Sequence, residues 1–271
     1  MPEQRIPIEV GKCGSKRDLR SLLLQHDQSR AQAVYPQGNM NYVKTIVCFA
    51  NSRKTSGRCI AGKEWQKGHP GEWVRPISNR TSHEVSEEER RYEDGQDPRL
   101  LDIVNISCKR HQPSPHQSEN HVIDSDYYWE KQGRVSWKDL HAWLDSPDSL
   151  WDAGEGSYAG INNRVSVGQQ NGTSLFLIRV EKLHLLVGKK APQYSAKRSV
   201  QGEFTYQGLV YRMDVTDPVI ERDYLSKPDG QYNIPHPVLC ISLGDPYQAS
   251  VSNQSYYYKL IAAVLYQERF A

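Results

Sequence analysis

The chain has 271 residues, 37% hydrophobic and 24% charged, with 34 Lys and Arg against 32 Asp and Glu. That length can bury a sizeable core as one large domain or two small ones, and 16 Tyr with 6 Trp exclude wholesale disorder. A net charge of +2 is too mild to establish a polyanionic partner, so the question passes to where the cations cluster.

Residues 1–39 are polar. Ser15 with Asp18 reads as a capping box that opens a helix through Leu19, Leu22 and Leu23. The same stretch also reads as an in-frame extension ahead of a start at Met40. Residues 1–40 are therefore an N-terminal extension, partly helical or disordered. It lacks an apolar core of signal-peptide length, and nowhere does the chain approach the ~20 apolar residues of a membrane span. A cytoplasmic protein is the expectation. The 5 Cys include no CxxC pair and no metal-ligand spacing. Cys48, Cys59, Cys108 and Cys240 fall inside apolar strand patterns, which suits reduced core thiols.

Residues 43–50, VKTIVCFA, predict a buried strand. A polar turn at 51–57 leads into a second strand at 58–62, and a third follows at 72–77. Residues 79–99 are acidic and predict an exposed loop with one helical turn from Ser86. Residues 100–108 form another strand candidate, and 121–129 hold one more extended segment. A first small barrel over 41–132 follows from these elements. Ser136 and Asp139 mark a helix over 136–144, with Trp137, Leu140, Trp143 and Leu144 on one face and Pro147 stopping it. Residues 133–170 are a helical and irregular connector.

Residues 173–187 alternate as a strand with a slip near Glu181, the mark of a bulge or sharp bend. Residues 197–206 and 209–216 flank Gln207-Gly208, a strong hairpin signal. A helical turn at 221–225, a turn at 227–230 and a buried strand at 238–243 follow. Residues 256–266 close the chain. If extended they put Tyr256, Tyr258, Leu260 and Ala262 on one face; a terminal helix competes there. A second barrel over 171–271 results. The expected fold is mainly β: two tandem, small, partly open five-stranded barrels with a connecting helix and an N-terminal helical extension. The absence of βαβ alternation disfavours a doubly wound sheet.

The strings KTIVCFANSRKTSGRCIAG, GEWVRPIS and RRYEDGQDPRLLDIV resemble the bacterial dual OB-containing domain proteins. HQSENHVID, SLFLIRV, VTDPVIERDYLSKPDGQY, LCISLGDP and YYYKLIAAV extend the resemblance over about residues 43–266. It implies two OB folds in tandem and a role in binding nucleic acid or a related ligand. It implies no particular reaction.

OB barrels bind single strands with cations along the backbone and aromatic rings against the bases. Two stretches fit. The first carries Arg53, Lys54, Arg58, Lys63 and Lys67 with Trp65 interleaved, followed by Trp73 and Arg75. The second carries Lys182, Lys189, Lys190, Lys197 and Arg198 with Tyr194 interleaved. The competing reading makes these ordinary basic turns, buries Trp65 and Trp73, and sets Arg75 to brace an acidic neighbour. Asp97, Asp102, Glu119 and His121 are the candidates for a metal-dependent nuclease, but their spacing matches no such motif. No phosphate-loop, dinucleotide or zinc-ligand pattern is present. The expectation is a non-catalytic nucleic-acid-binding protein without cofactor or metal. A protein-interaction or small-ligand module is the alternative, and a nuclease the third reading.

Overall fold

The computed structural model describes residues 41–151, 154–169, 172–190, 197–248 and 254–270. The expected N-terminal helix lies outside them. The first half contains β1 (Tyr42–Lys54), β2 (Gly57–Gln66), β3 (His69–Ile77), α1 (Glu87–Arg90), β4 (Asp102–His111), β5 (Asn120–Ile123) and β6 (Glu130–Arg134). Strands β1, β2 and β3 form an antiparallel meander. β3 then pairs in parallel with β5, β5 with β4, and β4 with β1, so the ring closes. β6 extends it from β4.

Closure depends on β1 serving two partners. Its first part, Tyr42 to Val47, pairs with β4, and Ile46 to Lys54 pair with β2. A register shift between Cys48 and Ala50 marks the change. There Leu101 N–H donates to the Cys48 carbonyl at 2.7 Å, so the bulge leaves that carbonyl satisfied. Opposite it, Gly62 is required by close approach: a Cβ would stand 2.2 Å from the Val47 carbonyl oxygen.

The second half repeats the plan with β7 (Arg164–Ser166), β8 (Leu175–Arg179), β9 (Lys182–Lys189), β10 (Arg198–Tyr206), β11 (Leu209–Val215), α2 (Pro218–Leu225), β12 (Gly230–Pro235), β13 (Val238–Gln248) and β14 (Ser255–Leu265). β9, β10 and β11 form the meander, β11 pairs in parallel with β14, β14 pairs with β13, and β13 pairs with β8. β8 and β9 are two arms of one bent strand, broken at Val180-Glu181, and through that bend the second ring closes. The slip in the sequence pattern near Glu181 is this corner. The Gln207-Gly208 hairpin has both turn residues at positive φ, 49° and 76°, as a two-residue hairpin turn demands.

Two core clusters fill the rings. The first, around Phe49, Ile60, Val104 and Trp143, also takes in Leu177, Cys240, Ala262 and Ala263 from the second sheet. The second surrounds Leu183, Phe204, Tyr211 and Ile261. Cys48, Cys108 and Cys240 are buried free thiols, and Cys59 is half-buried.

The structure departs from expectation at several elements. Residues 137–143 form a 3-10 helix (Trp137–Trp143), not an α-helix. Ser136 Oγ donates to the Asp139 carboxylate at 2.8 Å and makes no capping bond to the backbone. At Ser86 the capping box does form, with Glu89, and opens the four-residue α1. Residues 256–265 lie in strand β14, which settles the choice there against a helix; a 3-10 turn, Gln267–Arg269, follows. α2 starts earlier than expected, at Pro218, because Asp217 caps it. β6, β7 and β12 are added strands. No helix of the described residues is long and apolar enough to cross a membrane.

Candidate nucleic-acid interface

The basic turn of the first ring divides by burial. At its tip, Arg53 N–H donates to the Thr216 carbonyl at 2.8 Å, and the Arg53 guanidinium makes two 2.9 Å bonds to Glu221 of α2. The Glu221 hydrogen bond, against the cost of burial, raises the Arg53 pKa. Lys54 pairs with Asp245 at 3.1 Å. Both cations therefore fasten the first ring to the second.

Lys63 and Arg75 depart further from the surface role the sequence suggested. Lys63 Nζ is buried between the Trp143 carbonyl (2.8 Å) and Asp145 (2.6 Å), over the Trp73 ring. Arg75 is 2% exposed. It donates to Glu119 (3.0 Å), Cys59 Sγ (2.7 Å) and Ser174 Oγ (2.8 Å), the last at the foot of β8 in the second ring. Burial by itself would lower the Arg75 pKa; Cys59 and Glu119 outweigh it and the net direction is up. Trp65 stacks on Trp143 with centroids 5.7 Å apart, and Trp73 Nε1 donates to Asp145. Lys63 and Arg75 are thus buried and engaged in packing, while half-buried Trp65 has one ring face against Trp143. Lys67 is exposed at the β2–β3 turn.

In the second stretch Lys189 stands opposite Arg198 in the β9–β10 register, so Lys189, Lys190, Lys197 and Arg198 lie at one end of that pair and Lys182 at the other. Arg198 donates to Asp229 (2.7 Å) and to the carbonyls of Leu225 and Lys227, and Lys190 pairs with Asp214 at 2.5 Å. Lys182 and Lys189 stand exposed at opposite ends of β9, Lys197 is exposed before β10, and Tyr194 lies outside the described residues.

Arg58 remains. It enters β2 beside Val85, with which it exchanges backbone bonds of 3.0 and 2.9 Å. Its side chain lines a cleft of about 430 Å³ between the rings, with Arg99, Arg134, Arg269, Asn51, Asp97 and Asp217. Asp97 accepts from Arg90 at 2.8 Å, and Asp217 accepts from Arg269 at 2.6 Å. Both acids are thus paired with arginines and Arg134 lies 3.8 Å from the buried Asp102, so among the described residues Arg58 and Arg99 are the cleft's guanidinium groups without an ion pair. Arg134 lies over the Phe270 ring and donates to the Leu100 carbonyl at 3.1 Å. Burial, then the Arg90 charge, lowers the Arg58 pKa. The direction is opposite to that at Arg53, where the Glu221 hydrogen bond outweighs burial. Asn51 uses its Nδ2 on the Pro98 carbonyl, while its buried Oδ1 has no protein donor. The cleft can take up an anion on guanidinium groups and offers two buried acceptors, Asn51 Oδ1 and Asp97 Oδ1, to N–H groups.

A family model, the dual OB-containing domain, matches residues 44–264. The chain belongs to the dual OB-containing domain family. No curated protein and no solved structure matches it. In this dual OB-containing domain protein the matched span contains every cleft residue named above except Arg269 and Phe270.

The acids weighed for a nuclease are dispersed. Asp102 is held by Lys131 (2.9 Å) and Tyr92 (3.1 Å), Glu119 by Arg75, Asp97 by Arg90, and His121 by the Tyr42 hydroxyl (2.7 Å). Among the described residues no group of three or more His, Cys, Asp or Glu could hold a metal ion. Arg99, Arg134 and Arg269 escape a reading of the sequence because they lie in an acidic loop, a polar edge strand and the tail beyond the last strand. Nothing in their local pattern announces that they converge on Arg58.

Proposed function

We propose that this protein binds nucleic acid through its two OB folds, seating backbone phosphate in the arginine cleft between them. In this reading each ring, with its short helix between the third and fourth strands, is an OB fold of the kind that takes oligonucleotides. The observation that carries the reading is that Arg58 and Arg99, without an ion pair among the described residues, line a cleft with Arg134 and Arg269 whose Asp97 and Asp217 are already paired with arginines. Arginine suits phosphate because its planar donors meet two oxygens at once. The interface moves accordingly from the tip of the basic turn to its base, where Arg58 leaves the turn.

The test is titration of a fluorescently labelled single strand between about 50 and 200 mM salt. Wild type is expected to bind at low salt and to weaken steeply as salt rises. Arg99→Glu with Arg134→Glu is expected to weaken binding at least about tenfold and to shallow the salt slope by roughly one for each phosphate no longer neutralised. No binding at low salt, or binding indifferent to both reversals, overturns the reading.

A further inference from the structure

Two acceptors in the arginine cleft have no donor among the described residues. Asn51 stands on β1, and its Nδ2 donates to the Pro98 carbonyl at 2.8 Å. That bond decides the orientation of the amide: turned over, Oδ1 would meet the Pro98 carbonyl, acceptor against acceptor. Oδ1 is therefore held away from Pro98, buried and without a partner. Asp97 directly precedes Pro98. Its Oδ2 accepts from Arg90 at 2.8 Å, and its Oδ1 is buried without a partner. Both residues line the cleft, whose 430 Å³ is within the size range of small-molecule sites. Buried acceptors are rarely left unmatched in a folded protein, so the pair calls for a cause.

The same short segment sets a cation beside them. Arg99 follows Pro98, and its backbone N–H donates to the buried Asp102 carboxylate at 3.0 Å. Its side chain lines the cleft with that of Arg58. This arrangement sorts ligands by chemistry. Arg58, Arg99, Arg134 and Arg269 against Asp97 and Asp217 turn a cationic donor away. A bare phosphate or carboxylate satisfies guanidinium groups but brings only lone pairs to Asn51 and Asp97. The complement is a ligand with phosphate at one end and two N–H groups at the other. Among the common nucleobases guanine alone carries two adjacent N–H donors on its Watson–Crick edge, N1–H and the N2 amino group, with the acceptor O6 beside them. Adenine and cytosine carry one amino group next to a ring acceptor, and uracil or thymine one N–H between two carbonyls.

We infer that the cleft is a guanine nucleotide site, in which Asn51 and Asp97 accept from N1–H and the N2 amino group while the arginines take O6 and the phosphate. The inference rests on the phosphate reading above and adds the base that the cleft selects. A base without those donors leaves both acceptors unmatched, and that loss is the source of selectivity. Arg90 supplies a rival account of one acceptor. Its Nε is buried and also without a partner, so a small rotation onto Asp97 Oδ1 would pair the two inside the protein. The experiment therefore turns on Asn51.

Calorimetric titration with guanosine, inosine and adenosine 5′-monophosphates compares ligands of equal charge that differ on the base edge. Oligothymidine with one central guanosine, one central inosine or neither asks the same question of a strand. Inosine keeps N1–H and O6 and lacks the N2 amino group. Wild type is expected to bind the guanosine probe about tenfold more tightly than the inosine probe, and adenosine monophosphate more weakly still. Asn51→Ala is expected to bring guanosine down to the inosine level and to leave adenosine binding unchanged. Should that variant fail to fold, the wild-type ranking decides. A guanosine preference confined to the strands assigns the site to nucleic acid, one confined to the mononucleotides assigns it to a free nucleotide, and either supports the site. Equal binding of guanosine and inosine in both formats, or a preference unmoved in Asn51→Ala, overturns the guanine assignment. Salt-dependent binding of plain oligothymidine that Arg99→Glu with Arg134→Glu abolishes would then leave the phosphate reading standing. No binding of any probe at low salt overturns both.

Discussion

His121 shows how tightly a single residue is set by its neighbours. Its ring lies 4.7 Å from that of His111, and its Nδ1 meets the Tyr42 hydroxyl at 2.7 Å. Burial, then the Lys44 and His111 charges, outweigh Glu64 and Glu119 and push its pKa from 6.5 down to about 4. The unfolded chain therefore binds a proton that the folded chain refuses between those values. The stabilisation is whole above 6.5 and is lost as pH falls toward 4. The melting temperature is expected to fall across that window, and His121→Gln to flatten the profile. A wild-type profile level through the window would count against this assignment. The same dependence on neighbours decides which cations are legible. The charge on Arg53 can be read from the sequence, but its partner Glu221 stands 168 residues away. Lys63 and Arg75 sit in strands where alternate residues face in and out, and a cation on the inner face looks like any other until Asp145 and Glu119 are placed beside it. Arg58 is legible because it belongs to the turn itself.

At the scale of elements, what can be read is what local chemistry dictates. Gln207-Gly208 forces a tight hairpin, and the slip at Glu181 betrays the bend joining β8 to β9. β6 and β12, EKQGR and GQYNIP, are polar strands on the margins of their sheets. They form because β4 and β9 leave an edge to be paired, which no apolar period of their own records. α2 lies between these cases: Asp217-Pro218 is a start signal, and its full length depends on what Asp217 does in the fold. One carboxylate oxygen of Asp217 accepts from the N–H groups of Val219 (3.1 Å) and Ile220 (3.4 Å). The other accepts from Val264 N–H (3.1 Å) and Arg269 (2.6 Å). Asp217→Ala removes the cap, worth about 0.5–2 kcal/mol, and unpairs Arg269 at the cleft. Asp217→Asn retains an acceptor for the cap. Urea denaturation is expected to rank wild type above Asn and Asn above Ala; an Ala variant within about 0.5 kcal/mol of wild type would refute the assigned role.

Across the whole molecule, two rings can be traced in the strand pattern, but their union cannot. Apolar residues at 177, 240 and 263 satisfy a strand equally well whichever core they enter, and here they enter the first. Polar bonds reinforce the joint: Arg75 reaches from Glu119 to Ser174, and Arg53 and Lys54 reach to Glu221 and Asp245. A joint held this way fixes the distance between Arg58 on one ring and Asp217 on the other, so the cleft is formed before any ligand arrives and little ordering is left for binding to supply. The two rings should therefore unfold together. Trp65, Trp73, Trp129, Trp137 and Trp143 pack in the first cluster and Trp151 in the second, so tryptophan fluorescence follows mainly the first ring while far-ultraviolet circular dichroism follows both. The two signals are expected to coincide in one denaturant transition. Arg75→Met leaves Glu119 buried without its cation, a loss of about 3–5 kcal/mol, and is expected to shift both signals by the same amount. Two resolved transitions, or a shift of fluorescence alone, would mean that the rings stand independently and that the cleft between them is not held in place by the fold.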